Sequence, residues 1–219
     1  MAISASIIYG NDIFVDLFSA IVLIMICFTA FKFSKLRKRK EYSYLITSLL
    51  LLAISFIFKI FTHFSVYLTT SDIIITKNVI FWMLLIHRVL SLIAFYLLYL
   101  VFAQKKQSLI TIFFLYLLLI IGYVTNTIYY VFHITTFVIM ILIIERMYKS
   151  FRKHHHKKTK FMIITFTALA ISQLLFTFTN RNPLIYGTAE FIQFIGYLLL
   201  LLTFKVIKDG TKRKNRHSP

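Results

Sequence analysis

The chain has 219 residues, of which 59% are hydrophobic and 15% charged, and its formal net charge is +18 at pH 7. Soluble domains run at about 45–50% apolar with about 25% charge. The composition therefore excludes an ordinary soluble globule, and with 24 Phe and 13 Tyr it excludes a disordered chain. A single cysteine excludes an internal disulfide.

A helix needs about 20 mostly apolar residues to cross the bilayer core. Seven stretches meet this. In chain order they are Asp12–Lys32, Tyr42–Phe64, Asn78–Phe102, the short Leu109–Val124, Asn126–Met147, Lys160–Asn180 and Thr188–Ile207. Each is apolar all round, unlike the alternating strands of a membrane barrel. An open sheet would leave its edge unbonded in lipid. The expected fold is an all-α membrane protein, a seven-transmembrane-helix bundle forming one domain over residues 1–219. No leading basic region marks a cleaved signal peptide before Gly10.

Lys and Arg set the orientation. Of the 25, 21 fall in the loops after helices 1, 3 and 5 and in the tail. Lys77 and Arg181 stand in the opposite loops, and Lys59 and Arg88 lie within spans. The expected N-terminus is outside, and residues 209–219 form a basic cytoplasmic tail. Positive-inside topology and attraction to anionic lipid headgroups account for the charge without nucleic acid. The expected location is the plasma membrane, with a membrane-protein partner or homo-oligomer left open.

The chain also aligns with itself. A shift of 117 places Leu52-Ala53-Ile54-Ser55 on Leu169-Ala170-Ile171-Ser172 and Asp16 on His133. A shift of 102 places Arg88 on Glu190 and Ser91 on Gln193. This predicts parallel repeats over residues 12–103 and 126–208, with helix 4 (109–124) as the linker, a 3+1+3 arrangement.

Ionisable groups inside a span are costly and point to function or to packing. Helix 1 offers Asp12, Asp16 and Ser19, helix 2 Ser55, Lys59 and His63, and helix 3 His87, Arg88 and Ser91. Helix 5 offers Tyr129, His133 and Thr136, helix 6 Ser172 and Gln173, and helix 7 Glu190, Gln193 and Tyr197. At about 1.5 Å of rise per residue, all lie in the outer half or near the middle. An outer-half polar cavity is expected, with Asp16, Arg88, His133, Gln173, Glu190 and Gln193 as ligand-binding candidates. Arg88 holds an anionic group or pairs with Asp16 or Glu190. Lys59 and His63 are expected to snorkel to the outer surface.

Several functions meet these features. One is binding, sensing or transport of a small polar ligand. An accessory subunit with no ligand is a second. An intramembrane zinc enzyme built on His63, His87, His133 and Asp16 is a third, though no HExxH spacing supports it. A haem held by His87 and His133 is a fourth. The first is preferred, with no catalytic residue and no cofactor assigned. Proline is missing from every span, and Gly122 and Gly196 are the span glycines. Straight helices favour a receptor-like or sensory bundle over a carrier with broken helices. The His154-His155-His156 run is read as part of a basic loop, and Cys27 as an inert residue in an apolar setting.

The organisation, with an outside N-terminus and three-one-three spans, resembles SWEET-type sugar transporters and microbial rhodopsins. Their motifs are absent: helices 1 and 5 carry no proline, and Lys205 and Lys208 lie too near the inner end to hold a retinal. The motifs of G-protein-coupled receptors are absent as well. From His133 to Val206 the chain resembles small seven-span proteins of archaeal type. The shared features are a His opening helix 5, the basic loop, Ser172-Gln173-Leu174-Leu175-Phe176, Leu184-Ile185-Tyr186-Gly187 and Gln193-Phe194-Ile195-Gly196-Tyr197. In that family His is common where this chain has Gln173 and Glu190. The resemblance implies that both face one cavity with His133. It implies an archaeal-type plasma membrane and no particular activity.

Overall fold

The computed structural model describes the backbone of residues 2–36, 40–68, 73–103, 108–124, 128–155, 157–179 and 183–216. Side chains are described for residues 13–32, 43–65, 78–103, 116–124, 128–153, 155, 159–179 and 184–205. Seven helices form: α1 (Ala2–Leu36), α2 (Lys40–Leu68), α3 (Ile73–Ala103), α4 (Ser108–Val124), α5 (Tyr129–His154), α6 (Lys157–Phe176) and α7 (Pro183–Arg216). No strand occurs among the described residues.

Six helices are long and apolar enough to cross a membrane: Ile13–Lys32, Ser43–Ser65, Asn78–Ala103, Tyr129–Lys153, Thr159–Phe176 and Leu184–Lys205. Together they fit a multi-pass membrane protein. The seventh expected span, α4, has 17 residues. At 1.5 Å per residue it reaches about 25 Å, short of a hydrocarbon core of about 30 Å.

Two helix ends are legible in residue types. Pro183 opens α7, where its missing N–H costs nothing. At the end of α5, His155 takes the left-handed conformation (φ 48°) and its N–H donates to the Phe151 carbonyl at 2.7 Å. Left-handed backbone closes helices, and histidine enters it more readily than most side chains. His155 thus turns the chain from α5 into α6. The side chains of His154 and His156 lie outside the described residues. So do those of Asp12, of the basic residues from Lys35 to Lys40, of Lys77, Lys105, Lys106, Lys157, Lys158 and Arg181, and of the tail from Lys208 onward.

Helix α2 runs antiparallel to both α1 and α3. Cys27, late in α1, meets the Ile46 carbonyl early in α2 (3.9 Å). Ser48, early in α2, donates to the Ala94 carbonyl late in α3 (2.8 Å). Six helices close a ring in the order α1–α2–α3–α5–α6–α7, with α7 packing back on α1. Helix α4 stays outside the ring against α3, with a lighter contact to α5.

Small residues set two of these contacts. A Cβ at Gly196 would stand 2.5 Å from Leu169 Cδ2, and one at Gly122 would stand 2.5 Å from Val89 Cγ2. Glycine therefore lets α7 approach α6, and α4 approach α3, as small residues do in membrane bundles.

The core divides along its length. Leu23, Ile26, Met140, Ile143, Leu49 and Phe166 fill one part and are fully buried. The part nearer Asp16 holds the ionisable side chains. Hydroxyls do reach the apolar part: Thr165 donates to Phe161 O (3.0 Å) and Thr203 to Leu199 O (2.8 Å), each satisfied within its own helix. Outward faces carry Phe14, Phe28, Trp82, Tyr116 and Leu202, as lipid contact requires.

Candidate functional site

The spacing of α2 carries the first element of the site. Leu45, Leu49, Leu52, Phe56 and Lys59 recur every three or four residues, which places them on one helix face. The first four are buried. Lys59 sits one turn beyond Phe56 on that same stripe, so it enters the bundle. Its ammonium lies 2.8 Å from Asp16 Oδ1 on α1 and 3.1 Å from Glu190 Oε1 on α7. Asp16 and Glu190 are 1% and 3% exposed. Two buried carboxylates thus share one ammonium at the junction of α1, α2 and α7.

This corrects two expectations. The cation between Asp16 and Glu190 is Lys59, not Arg88. Lys59 and His63 do not snorkel outward, because the carboxylates offer a stronger partner than the headgroup region. His63 Nε2 stands 3.6 Å from Asp16 Oδ2. That oxygen is buried and has no hydrogen bond.

Next to this triad is a cavity of about 350 Å³. Ligand pockets run from about 300 to 1,000 Å³, so this one lies at the small end. Lys59 and His63 from α2 and His87, Arg88 and Ser91 from α3 line one side. Tyr129 and His133 from α5, Gln173 from α6, and Tyr186, Gln193 and Tyr197 from α7 line the other. The apolar lining includes Leu52, Phe56, Leu84, Phe95, Phe132 and Phe176. Asp16 and Glu190 bond to Lys59 and are not part of the lining.

Hydrogen bonds fix the polar lining. His133 Nδ1 is 2.8 Å from Gln173 Oε1, joining α5 to α6. An amide oxygen only accepts, so Nδ1–H donates and Nε2 is left as the ring's acceptor. His87 Nδ1 donates in the same way to the Ser55 carbonyl at 2.9 Å. Ser91 donates to Ser55 Oγ (2.9 Å), which donates to Leu52 O (2.7 Å), tying α3 to α2. Gln193 Nε2 donates to Tyr197 Oη (3.3 Å). The His133 ring stacks on Phe176 with centroids 5.0 Å apart. The Arg88 guanidinium lies 5.8 Å from the Tyr129 ring centroid, within cation–π range.

Four of the six candidates, Arg88, His133, Gln173 and Gln193, therefore line one cavity, while Asp16 and Glu190 engage Lys59 beside it. His63, His87 and His133 all reach the cavity. Among the described residues, no three His, Cys, Asp or Glu side chains are grouped closely enough to hold one metal ion. Tyr186 and the bridging role of Lys59 were not anticipated. The stripe of α2 was the signal that could have found Lys59. Tyr186 sits near the start of α7 and has no comparable signal. No protein-family model, no curated protein and no solved structure matches this chain.

Proposed function

We propose that the chain binds a small polar organic ligand in this cavity, as a membrane receptor or transporter with its N-terminus outside and its basic face in the cytoplasm of a plasma-membrane-bounded cell. One observation carries the reading. Arg88, His133, Gln173 and Gln193 come from four helices, α3, α5, α6 and α7, and all border one cavity of about 350 Å³. Convergent polar groups in an otherwise apolar pocket are the usual form of a ligand site.

The proposed function includes a two-fold repeat, which would suit transport. In the ring order, replacing α1, α2 and α3 by α5, α6 and α7 and the reverse turns each pair of contacting helices into another contacting pair. Under the shift of 117, Ser19 and Thr136 are both buried, as are Leu23 and Met140, and Leu52 and Leu169. Ser55 and Ser172 are fully buried, and each donates to the carbonyl three residues back at 2.7 Å. Under the shift of 102, Arg88 and Glu190, Phe95 and Tyr197, and Leu98 and Leu200 are buried pairs. Each helix can turn freely about its own axis, so hydrophobicity alone does not impose this agreement. Halves of this kind rock around a site between them.

The test is thermal unfolding of the purified protein in lipid nanodiscs against organic acids, amino acids, sugars and amines. A stabilising compound whose effect disappears in Arg88→Ala, with membrane insertion intact, supports the reading. If Arg88→Ala only lowers thermal stability and no compound acts on the native chain, the polar groups serve packing. The direct pairing of Lys59 with Asp16 and Glu190 favours that second reading, an accessory subunit, for those three residues alone.

A further inference from the structure

We infer that His63 and Asp16 form a proton-binding site that loads from the cavity, the proton carried on His63 Nε2 and donated to Asp16 Oδ2. Helix α2 brings two groups to one carboxylate. Phe56, Lys59 and His63 follow one another three and four residues apart, and so share a helix face. Lys59 takes Asp16 Oδ1 at 2.8 Å and Glu190 Oε1 at 3.1 Å. His63 Nε2 stands 3.6 Å from the other oxygen, Asp16 Oδ2. That oxygen is buried and no hydrogen bond reaches it, on a residue that is 1% exposed. A buried acceptor left without a donor is costly, and most such groups have one. An Nε2–H this close would be drawn in to donate. The gap of 3.6 Å is the spacing of two lone pairs with no proton between them.

A proton supplies what is missing. His63 lines the cavity whereas Asp16 does not, so the imidazole is the group that water in the cavity can reach. A hydronium ion gives its proton to the Nε2 lone pair and leaves as water. The imidazolium then donates a charge-assisted hydrogen bond to Oδ2, shorter than the present gap. Neighbouring charges divide for and against this. Asp16 on α1 and Glu190 on α7 favour a second cation here, while Lys59 on α2 and Arg88 on α3 oppose it. His87 on α3 and His133 on α5 border the same cavity with Nδ1–H already engaged, as do the phenols Tyr129, Tyr186 and Tyr197. A metal ion does not suit the pair. Among the described residues no three His, Cys, Asp or Glu side chains are grouped closely enough to hold one, whereas a proton needs only two facing atoms. Uptake adds one positive charge to the cavity wall and draws the His63 ring toward α1. The site stands whether or not the cavity also takes an organic ligand.

The test follows the ring nitrogens of His63 by NMR on the native protein in nanodiscs, with isotope-labelled histidine and aspartate, from alkaline to acid pH. His63 Nε2 is expected to change from an unprotonated to a protonated nitrogen as the pH falls. Magnetisation should pass from the new proton to the Asp16 carboxyl carbon at acid pH only. Asp16→Asn removes the carboxylate that holds the proton, and the affinity of His63 for it should fall at least tenfold. The transfer to Asp16 decides the matter in the native chain even if Asp16→Asn fails to fold. A His63 Nε2 that stays unprotonated at every pH where the protein is folded overturns the inference. So does a protonated His63 with no transfer to Asp16, or with unchanged proton affinity in Asp16→Asn, since either makes it an ordinary water-facing histidine. A response of the Asp16 carboxyl carbon to sodium at constant pH, with His63 still neutral, overturns it in favour of a metal cation.

Discussion

Glu190 Oε1 lies 3.1 Å from Lys59 Nζ, although 131 residues separate them in the chain. The contact joins α7 to α2, and Lys59 Nζ also reaches Asp16 on α1 at 2.8 Å. One lysine therefore ties both ends of the chain to the second helix.

Lys59→Met should destabilise strongly. It leaves Asp16 and Glu190 buried without their ammonium, and removing one partner of a buried pair costs about 3–5 kcal/mol. The triple change Lys59→Met, Asp16→Asn and Glu190→Gln should recover most of the loss, because no orphaned charge remains. Thermal unfolding of the purified variants checks both. A single variant as stable as the native chain would mean that the ion pairs do not hold the bundle.

Gln173→Leu should cost about 1–2 kcal/mol. Deleting a buried partner charges the full desolvation of the group left behind, here His133 Nδ1–H. Ser91→Ala removes one interhelical hydroxyl contact and should cost about 0.6 kcal/mol, the average for such bonds in a membrane bundle. Denaturation of the two variants side by side gives the order, and the reverse order would contradict the assigned roles.

Gly196→Val and Gly187→Ala should move in opposite directions. A Cβ at 196 meets Leu169 Cδ2 at 2.5 Å, whereas one at 187 has nothing within 4 Å. Overpacking costs about 1–3 kcal/mol, so Gly196→Val should push α7 off α6 and destabilise. Gly187→Ala lies in open helix and should gain up to about 1 kcal/mol. Unfolding midpoints in one detergent report both signs.

Orientation has its own test. In a Cys27→Ser background, a cysteine at Thr70 should react with a membrane-impermeant maleimide on intact cells. A cysteine at Gln107 should react only after lysis. The reverse pattern would place the basic loops outside, contrary to the charge bias.

The sequence by itself determined the helical membrane class, the approximate position of six of the seven expected spans and the set of ionisable residues worth attention. These are properties of local runs: apolar length forces helix in lipid, and an ionisable residue in such a run is conspicuous wherever the helix sits. The pairings were beyond its reach. Arg88 and Lys59 both lie within spans as possible counter-ions, and it is Lys59 that stands between Asp16 and Glu190. That choice depends on how α1, α2 and α7 are rotated about their axes and on the ring closing α7 against α1. Neither quantity is written in hydropathy. The tertiary structure also decided which polar residues border the cavity and which lie beside it. That division sets Arg88, His133, Gln173 and Gln193 on the lining and Asp16 and Glu190 on Lys59 beside it, and it follows from side-chain reach across helices distant in the chain. The short α4 outside the ring is a tertiary result too, since its composition is as apolar as that of its neighbours and only its length and packing set it apart.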